Sequence, residues 1–256
     1  MKKYYLIILL IALFFYACSG SNKDNIKQGA ALRDLGEALM AQGKYNAALF
    51  EFTRALEKYS KDPYLHNSIG LVYLAKKKLN LAELHFQKAL DYKPDYPDAM
   101  NNLGIVYIEQ KQIDYAIKCF EKVTNNLIYA SPHKPLTNLG MAYFIKKDYL
   151  TSIDYYEKAL EIKPEYSIAQ RGLARVYISM GKIDKAIELL NKTMKQAPYF
   201  AEACYDLAEA YRLKSDFENA LTNYQRVIRI TPSSPLAKKA RQQIDIINNN
   251  SIIIIQ

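Results

Sequence analysis

The sequence has no tryptophan and is poor in cysteine, histidine, glycine and proline, with three, three, nine and nine of them in 256 residues. It contains no glycine-rich phosphate loop and no G-x-S-x-G nucleophile elbow. Few segments alternate apolar and polar residues with the period of two that a half-buried strand requires. These absences argue against an enzyme and against a sheet protein.

The residues that are present have a globular composition, with 50% hydrophobic and 24% charged residues. The formal net charge is +9. Lysine is abundant together with asparagine, isoleucine and tyrosine, which fits a bias across a whole genome. The basic balance is therefore not taken as a sign of a nucleic-acid partner.

The first 18 residues, MKKYYLIILLIALFFYAC, place two lysines before an apolar run from Tyr4 to Tyr16. A membrane-spanning helix needs about 20 apolar residues, so this run predicts an export signal rather than a transmembrane helix. Residues 1–17 are interpreted as a signal peptide. Residues 18–28 are polar and lack a hydrophobic period, which predicts a tether before the folded domain.

The segment Phe15-Tyr16-Ala17-Cys18 resembles a bacterial lipobox, with phenylalanine where leucine is usual. The resemblance implies that Cys18 is acylated, and this covalent lipid is the only expected non-protein group. Ser19 follows the cysteine, which in similar Gram-negative lipoproteins implies a periplasm-facing anchor in the outer membrane. The alternative is an ordinary signal peptide with a chance cysteine.

Six segments share a pattern with a period of 34 residues, lengthened once by two residues. The first residues of the segments are Gly29, Pro63, Pro97, His133, Ser167 and Ala201. Their eighth residues are small: Gly36, Gly70, Gly104, Gly140, Ala174 and Ala208. Their twenty-fourth residues are large: Phe52, Phe86, Phe120, Tyr156, Leu190 and Tyr224. Small residues allow two helices to approach closely and the large ones fill the adjacent space, so each segment predicts a helix hairpin that stacks on the next.

This pattern resembles the tetratricopeptide repeat. The resemblance implies an all-α, right-handed α-solenoid of six repeats, at residues 29–62, 63–96, 97–132, 133–166, 167–200 and 201–234. Gly43 and Gly181 are expected to adopt positive φ in the turns. Residues 235–247 predict a capping helix with a polar outer face, and residues 248–256 a tail.

Residues with reactive side chains are few. Cys119 and Cys204 lie three repeats apart, too far for a disulfide, and are predicted to be buried free thiols. His66 and His85 are expected to approach each other on facing helices of the second repeat. No third ligand accompanies them, so no metal site is predicted.

In this repeat family, positions 2, 5, 9 and 12 of the first helices face a groove. The predicted partner-binding residues at these positions are Tyr64, Leu71, Leu74, Ile105, Ile108, Met141, Phe144, Arg171 and Arg175. The apolar stripe predicts a groove for an apolar or amphipathic peptide, which the arginines would orient. The alternative is that these side chains only pack against neighbouring helices. Glu202, Asp206 and Glu209 follow in the sixth repeat and either orient a partner or solvate the surface.

Co-chaperones with this repeat grip a C-terminal carboxylate with lysine and asparagine at positions 5 and 9 of a first repeat. Those positions carry Arg33 and Glu37 here, and Asn67 and Leu71 in the next repeat. The full clamp is not present.

The junction after the third repeat contains the two extra residues. It predicts an extended connection through Leu127-Ile128-Tyr129, with Ser131 as the N-cap and Pro132 as the first residue of the next helix. Lipobox, tether, six repeats and this junction together resemble the type IV pilus biogenesis and stability lipoproteins, the outer-membrane pilotins. The resemblance implies a monomeric adaptor that carries a secretin subunit to the outer membrane.

Two other functions remain open at this point. One is an envelope scaffold that docks peptidoglycan hydrolases, as other repeat lipoproteins do. The other is a subunit of an outer-membrane protein insertion machine, although that family usually has five repeats. All three hypotheses describe a protein-binding lipoprotein without catalytic residues.

Overall fold

A computed structural model describes residues 23–126 and 129–253. The predicted signal peptide, the candidate lipidation site Cys18 and the junction residues Leu127 and Ile128 lie outside the described residues. The last three residues of the predicted tail also lie outside them. None of the helices in the described part of the chain is long and apolar enough to cross a bilayer.

Within these ranges the chain forms thirteen α-helices and no strand, which confirms the predicted all-α fold. The helices are α1 (23–41), α2 (Tyr45–Lys58), α3 (Pro63–Ala75), α4 (Leu79–Tyr92), α5 (Pro97–Glu109), α6 (Ile113–Thr124), α7 (His133–Ile145), α8 (Tyr149–Ile162), α9 (Ser167–Ser179), α10 (Ile183–Gln196), α11 (Ala201–Leu213), α12 (Phe217–Ile230) and α13 (Pro235–Ile253). Each helix from α2 to α12 has 12 to 14 residues, so the chain is a series of similar hairpins.

The first and last helices extend beyond the repeat pattern. Residues 23–28 of the predicted tether are helical and belong to α1. Helix α13 continues past residue 247 to Ile253, because neither glycine nor proline interrupts this part of the chain.

The chain divides into two compact units, with the division between Cys119 and Phe120. In the first unit, one core cluster contains Phe52 and Leu65, and another contains Phe86 and Leu103. In the second unit, one core cluster surrounds Tyr156, and a second extends through the following helices. Each hairpin packs on the next one within its unit, for example α4 on α5 and α8 on α9.

The small residues of the pattern allow the close helix contacts that the sequence predicts. A Cβ atom added to Gly70 would lie 2.6 Å from Cε1 of Phe86, which is fully buried. In the second unit, a Cβ atom on Gly140 would lie 2.9 Å from the ring of Tyr156. The rings of Phe86 and Tyr156 therefore lie directly on the backbones of the first helices of their hairpins.

One residue in each turn between paired helices has a positive φ. These residues are Gly43 (73°), Lys77 (55°), Lys111 (63°), Lys147 (63°), Gly181 (72°) and Ser215 (63°). The geometry closes the helix end, as where the amide of Lys78 donates to the carbonyl of Tyr73 at 2.9 Å. The expected positive φ of the two glycines is confirmed, and the same geometry is imposed on three lysines and a serine.

The longer junction shortens the second helix of its repeat. Helix α6 has 12 residues, whereas α4 and α8 have 14. Helix α7 begins at His133, one residue later than predicted, and Pro132 with φ −64° is its N-cap. Ser131 contributes its backbone carbonyl, which accepts from the amide of Lys134 at 3.0 Å. The φ of Pro132 is fixed by its ring near the helical value, so its backbone is helical although the helix itself begins one residue later.

Candidate protein-binding surfaces

The nine predicted partner-binding residues all lie on the first helices of their hairpins. Five of them are on α3 and α5 in the first unit, and we call them the α3–α5 surface: Tyr64, Leu71, Leu74, Ile105 and Ile108. Four are on α7 and α9 in the second unit, and we call them the α7–α9 surface: Met141, Phe144, Arg171 and Arg175.

The aliphatic residues of the α3–α5 surface combine packing with partial exposure. Leu71 and Leu74 are half-buried and pack against the core cluster of Phe86 and Leu103. Ile105 and Ile108 are half-buried as well. Part of each side chain thus stabilises the hairpin stack, and part stays accessible.

Tyr64 lies among cations and a second aromatic ring. Its side chain is 44% exposed. The ammonium of Lys93 lies 4.7 Å from the ring centroid and donates to the Tyr64 hydroxyl at 2.8 Å. The Tyr96 ring packs edge-on at 5.3 Å, and burial raises the pKa of its phenol well above the ordinary value. The sequence pattern did not single out Lys93 or Tyr96, which lie outside the groove positions.

The clamp positions of the first unit are used for internal contacts. The Arg33 guanidinium donates to Asp62 Oδ2 at 2.7 Å, and Asp62 also caps α3 by accepting from the amide of Tyr64. Asn67 is buried and accepts from the amide of the Asn102 side chain at 3.0 Å. These polar groups hold neighbouring helices together.

The α7–α9 surface places an exposed cation over an aromatic ring. Met141 and Phe144 are half-buried and pack against the cluster that contains Tyr156 and Leu173. The Arg175 guanidinium lies 5.1 Å from the centroid of the Phe144 ring. This cation–π contact keeps the guanidinium beside the apolar side chains while Arg175 remains exposed.

The other arginine of this surface is neutralised within the chain. Arg171 Nε donates to Asp206 Oδ2 at 2.6 Å, and its guanidinium lies 5.8 Å from the Phe200 ring. Burial raises the pKa of the Asp206 carboxyl, and the nearby charge of Arg171 opposes that rise. Glu209 is paired with Arg212 at 2.8 Å. Among the described residues, Arg175 has no carboxylate within ion-pair distance, although its charge also acts on the Asp206 carboxylate, and its side chain is exposed.

The predicted approach of His66 and His85 is confirmed, with 3.0 Å between their Nδ1 atoms. His66 Nε2 lies 3.0 Å from the carbonyl of Ser60, which can only accept, so Nε2 carries the proton. Nδ1 of neutral His66 must then accept from Nδ1 of His85. Burial lowers the pKa of both imidazoles, that of His85 to about 4. No group of three or more potential metal ligands occurs among the described residues.

The prediction that both inner cysteines are buried free thiols is confirmed. The Cys204 thiol donates to the carbonyl of Asn223 at 3.3 Å. Burial raises the pKa of the Cys204 thiol to about 11, which keeps it protonated and unreactive near neutral pH.

Comparison with sequence families identifies the repeats. Tetratricopeptide repeat models match residues 33–97 and 171–235, residues 73–126 and residues 133–198. The chain belongs to the tetratricopeptide repeat family. Proteins with this fold typically act as non-catalytic scaffolds for protein–protein interaction.

Two solved structures show the same fold over nearly their whole length. PilF of Pseudomonas aeruginosa superposes with a TM-score of 0.69 at 18% identity, covering 86% of this chain and 99% of PilF. PilW, described as a widely conserved type IV pilus biogenesis factor, superposes with a TM-score of 0.74 at 18% identity, covering 82% of this chain and 97% of PilW. The resemblance to pilus-biogenesis repeat proteins is thus supported at the level of the fold.

Curated relatives match only part of the chain. The small glutamine-rich tetratricopeptide repeat-containing protein 2 of Mycosarcoma maydis is 29% identical over 93 residues, which are 36% of this chain and 26% of that protein. BBSome complex member BBS4 of Bos taurus is 31% identical over 97 residues, 38% of this chain and 19% of that protein. The chain therefore spans only about a quarter and a fifth of the length of these two relatives.

Proposed function

We propose that this chain is a non-enzymatic, outer-membrane lipoprotein adaptor that assists the assembly and targeting of a type IV pilus secretin. The observation that carries the proposal is the structural match to PilF and PilW, which covers 99% and 97% of those two proteins. PilW is a type IV pilus biogenesis factor. The lipobox-like segment ending at Cys18 supports attachment to the membrane by a lipid.

The partner-binding role falls to the α7–α9 surface. It places half-buried Met141 and Phe144 beside the exposed Arg175, which forms no ion pair among the described residues. An amphipathic helix of the secretin with an acidic residue next to its apolar face would match this arrangement. The adaptor acts as a monomer in this proposal, because one surface on one chain holds one secretin segment.

The test uses a deletion strain that also carries the secretin gene. Unheated membrane extracts are blotted for the secretin to compare the gel-resistant multimer with the monomer. We expect loss of the multimer without this chain, and its recovery at the outer membrane only with a chain that retains Cys18. Arg175→Glu together with Phe144→Ser should restore less multimer than wild type.

Lys158→Glu is the matched control, because it changes an exposed charge on α8 that contacts Asp154 and the Tyr155 ring, neither of which belongs to the α7–α9 surface. A multimer that is unchanged in the deletion strain would refute the pilus proposal. If the Cys18→Ala chain restores the secretin multimer at the outer membrane, only the lipid anchor is refuted, and the pilus proposal is not. In the first case, the scaffold for peptidoglycan hydrolases becomes the hypothesis to test.

A further inference from the structure

A cavity in the second unit lies on elements that the α7–α9 surface does not use. Its volume is about 410 Å³, and it is lined by Pro198, Tyr199, Arg226, Arg229 and Ile230. Pro198 and Tyr199 belong to the connection between α10 and α11, and the other three residues belong to the last turns of α12. The volume lies within the range of about 300 to 1,000 Å³ that is usual for ligand sites.

The cavity carries two positive charges that the chain does not neutralise. Arg226 and Arg229 are three residues apart on α12, so both lie on one side of the helix. Among the described residues, neither has a carboxylate in an ion pair, whereas Arg33, Arg171 and Arg212 each have at least one. The residues four positions before them are Thr222 and Gln225, which cannot supply a charge.

One of these guanidinium groups is held in place by the backbone. Arg226 Nη2 donates to the carbonyl of Pro198 at 2.9 Å. An arginine side chain has five N–H donors, so most of its donors stay available. The contact fixes Arg226 against the connection between α10 and α11 and lowers the entropy lost when a ligand binds.

The rest of the wall is apolar and accessible. The Tyr199 side chain is 84% exposed, although a large aromatic ring gains little from contact with water. Ile230 is half-buried beside it. A ligand must therefore bring an anionic group to the two arginines and an apolar group to Tyr199 and Ile230.

We propose that this cavity is a second protein-binding site, which takes an acidic peptide segment with an aliphatic or aromatic residue next to an aspartate or glutamate. A carboxylate accepts two parallel hydrogen bonds from a guanidinium, which gives both charge and geometric complementarity. The neighbouring side chain of the peptide covers the Tyr199 ring. The site goes beyond the pilus proposal, because it binds its ligand whether or not the partner is a secretin.

The test begins with a randomised octapeptide library captured on the immobilised full chain. Bound peptides are sequenced, and the most enriched one is labelled for fluorescence anisotropy. We expect enrichment of aspartate or glutamate beside an apolar residue. Replacing Arg226 and Arg229 by glutamine should weaken binding of that peptide at least tenfold, and Tyr199→Ala should weaken it severalfold.

Arg241→Gln is the matched control, because Arg241 also donates to a proline carbonyl, at 2.9 Å from Pro232, but does not line the cavity. Circular dichroism melting curves show whether each variant folds. If the double variant unfolds, Tyr199→Ala still tests the proposal, because it removes only an exposed side chain. Enrichment without acidic residues, or affinity unchanged in the double and Tyr199 variants, overturns the proposal. Flotation with phosphatidylglycerol vesicles that depends on Arg226 and Arg229, without peptide binding, overturns it in favour of a lipid headgroup site.

Discussion

Arg171 on α9 and Asp206 on α11 form a hydrogen-bonded ion pair of 2.6 Å between the first helices of consecutive hairpins. The two residues are 35 positions apart in the sequence. The carboxylate side chain is only 14% exposed, so Arg171 supplies the charge that makes its burial tolerable. The pair couples two hairpins of the second unit.

Replacing Arg171 by methionine is expected to destabilise the second unit. The change leaves a buried carboxylate without its cation, at a cost of roughly 2 to 4 kcal/mol in the free energy of unfolding. Urea denaturation followed by circular dichroism measures the loss. The double variant Arg171→Met/Asp206→Leu removes both charges and should recover most of it; a double variant as unstable as the single one would show that packing of Arg171 is what matters.

The histidine pair predicts a loss of stability at mildly acidic pH. Because burial lowers the pKa of His85 from 6.5 to about 4, the unfolded chain binds more protons than the folded chain between these values. Stability is therefore complete above pH 6.5 and falls as the pH falls towards 4, by about 2 to 3 kcal/mol from this residue.

Urea denaturation at pH 7.5, 6, 5 and 4.5 checks this dependence. His85→Gln keeps a donor for His66 Nδ1 but cannot bind a proton, so it should flatten the slope between pH 6.5 and 4.5. His133→Gln serves as the comparison, because His133 lies outside the pair; burial lowers its pKa as well, so this variant should flatten the slope less than His85→Gln. An equally steep slope in His85→Gln would assign the acid sensitivity to other groups.

The positive φ of Ser215 predicts a stabilising substitution. Ser215→Gly removes the steric cost of a side chain in the left-handed region, and the expected gain is about 0.5 to 1 kcal/mol after the larger chain entropy of glycine is subtracted. The reverse change, Gly181→Ser, places a side chain at the equivalent turn position with φ 72° and should destabilise by a similar amount. Thermal melts should show a higher melting temperature for Ser215→Gly and a lower one for Gly181→Ser than for the wild type. A loss of stability in Ser215→Gly would contradict the argument.

The contact of Gly70 with Phe86 predicts a compensating pair of substitutions. Gly70→Ala places a methyl group 2.6 Å from the ring and should cost about 1 to 3 kcal/mol. Adding Phe86→Leu makes room for this methyl group. The double variant then has the alanine and leucine that occupy the equivalent positions of the fifth repeat, Ala174 and Leu190. The double variant should be more stable than Gly70→Ala, which chemical denaturation at constant pH can measure. Additive losses would mean that the methyl group and the ring do not compete for the same space.

Much of the fold follows from local rules, which explains what the sequence could predict. A small residue sixteen positions before a large one leads to the Gly70–Phe86 contact, because both belong to one hairpin. Glycine in a short turn predicts the positive φ of Gly43 and Gly181. The approach of His66 and His85 is predictable for the same reason, since facing helices of one hairpin set the distance between their side chains.

The features that escaped prediction depend on tertiary structure. Lys111 and Ser215 adopt positive φ because the helices on either side impose it, and neither residue type signals such a turn. The partner of Arg171 lies on another hairpin, and the sequence alone left open whether Asp206 orients a partner or faces solvent. The cavity lined by Arg226 and Arg229 forms where the connection between α10 and α11 lies beside α12, so the repeat pattern of the sequence does not predict it. Whether the predicted partner-binding residues bind a partner stays a prediction.

The helical residues of α1 follow closely after the predicted lipidation site. Lys23, the first residue that the structure describes, is already helical and lies five residues after Cys18 in the sequence. A chain advances at most about 3.6 Å per residue, so the Cα atoms of Cys18 and Lys23 are separated by no more than about 18 Å. In the proposed lipoprotein, so short a connection would keep α1 close to the bilayer surface.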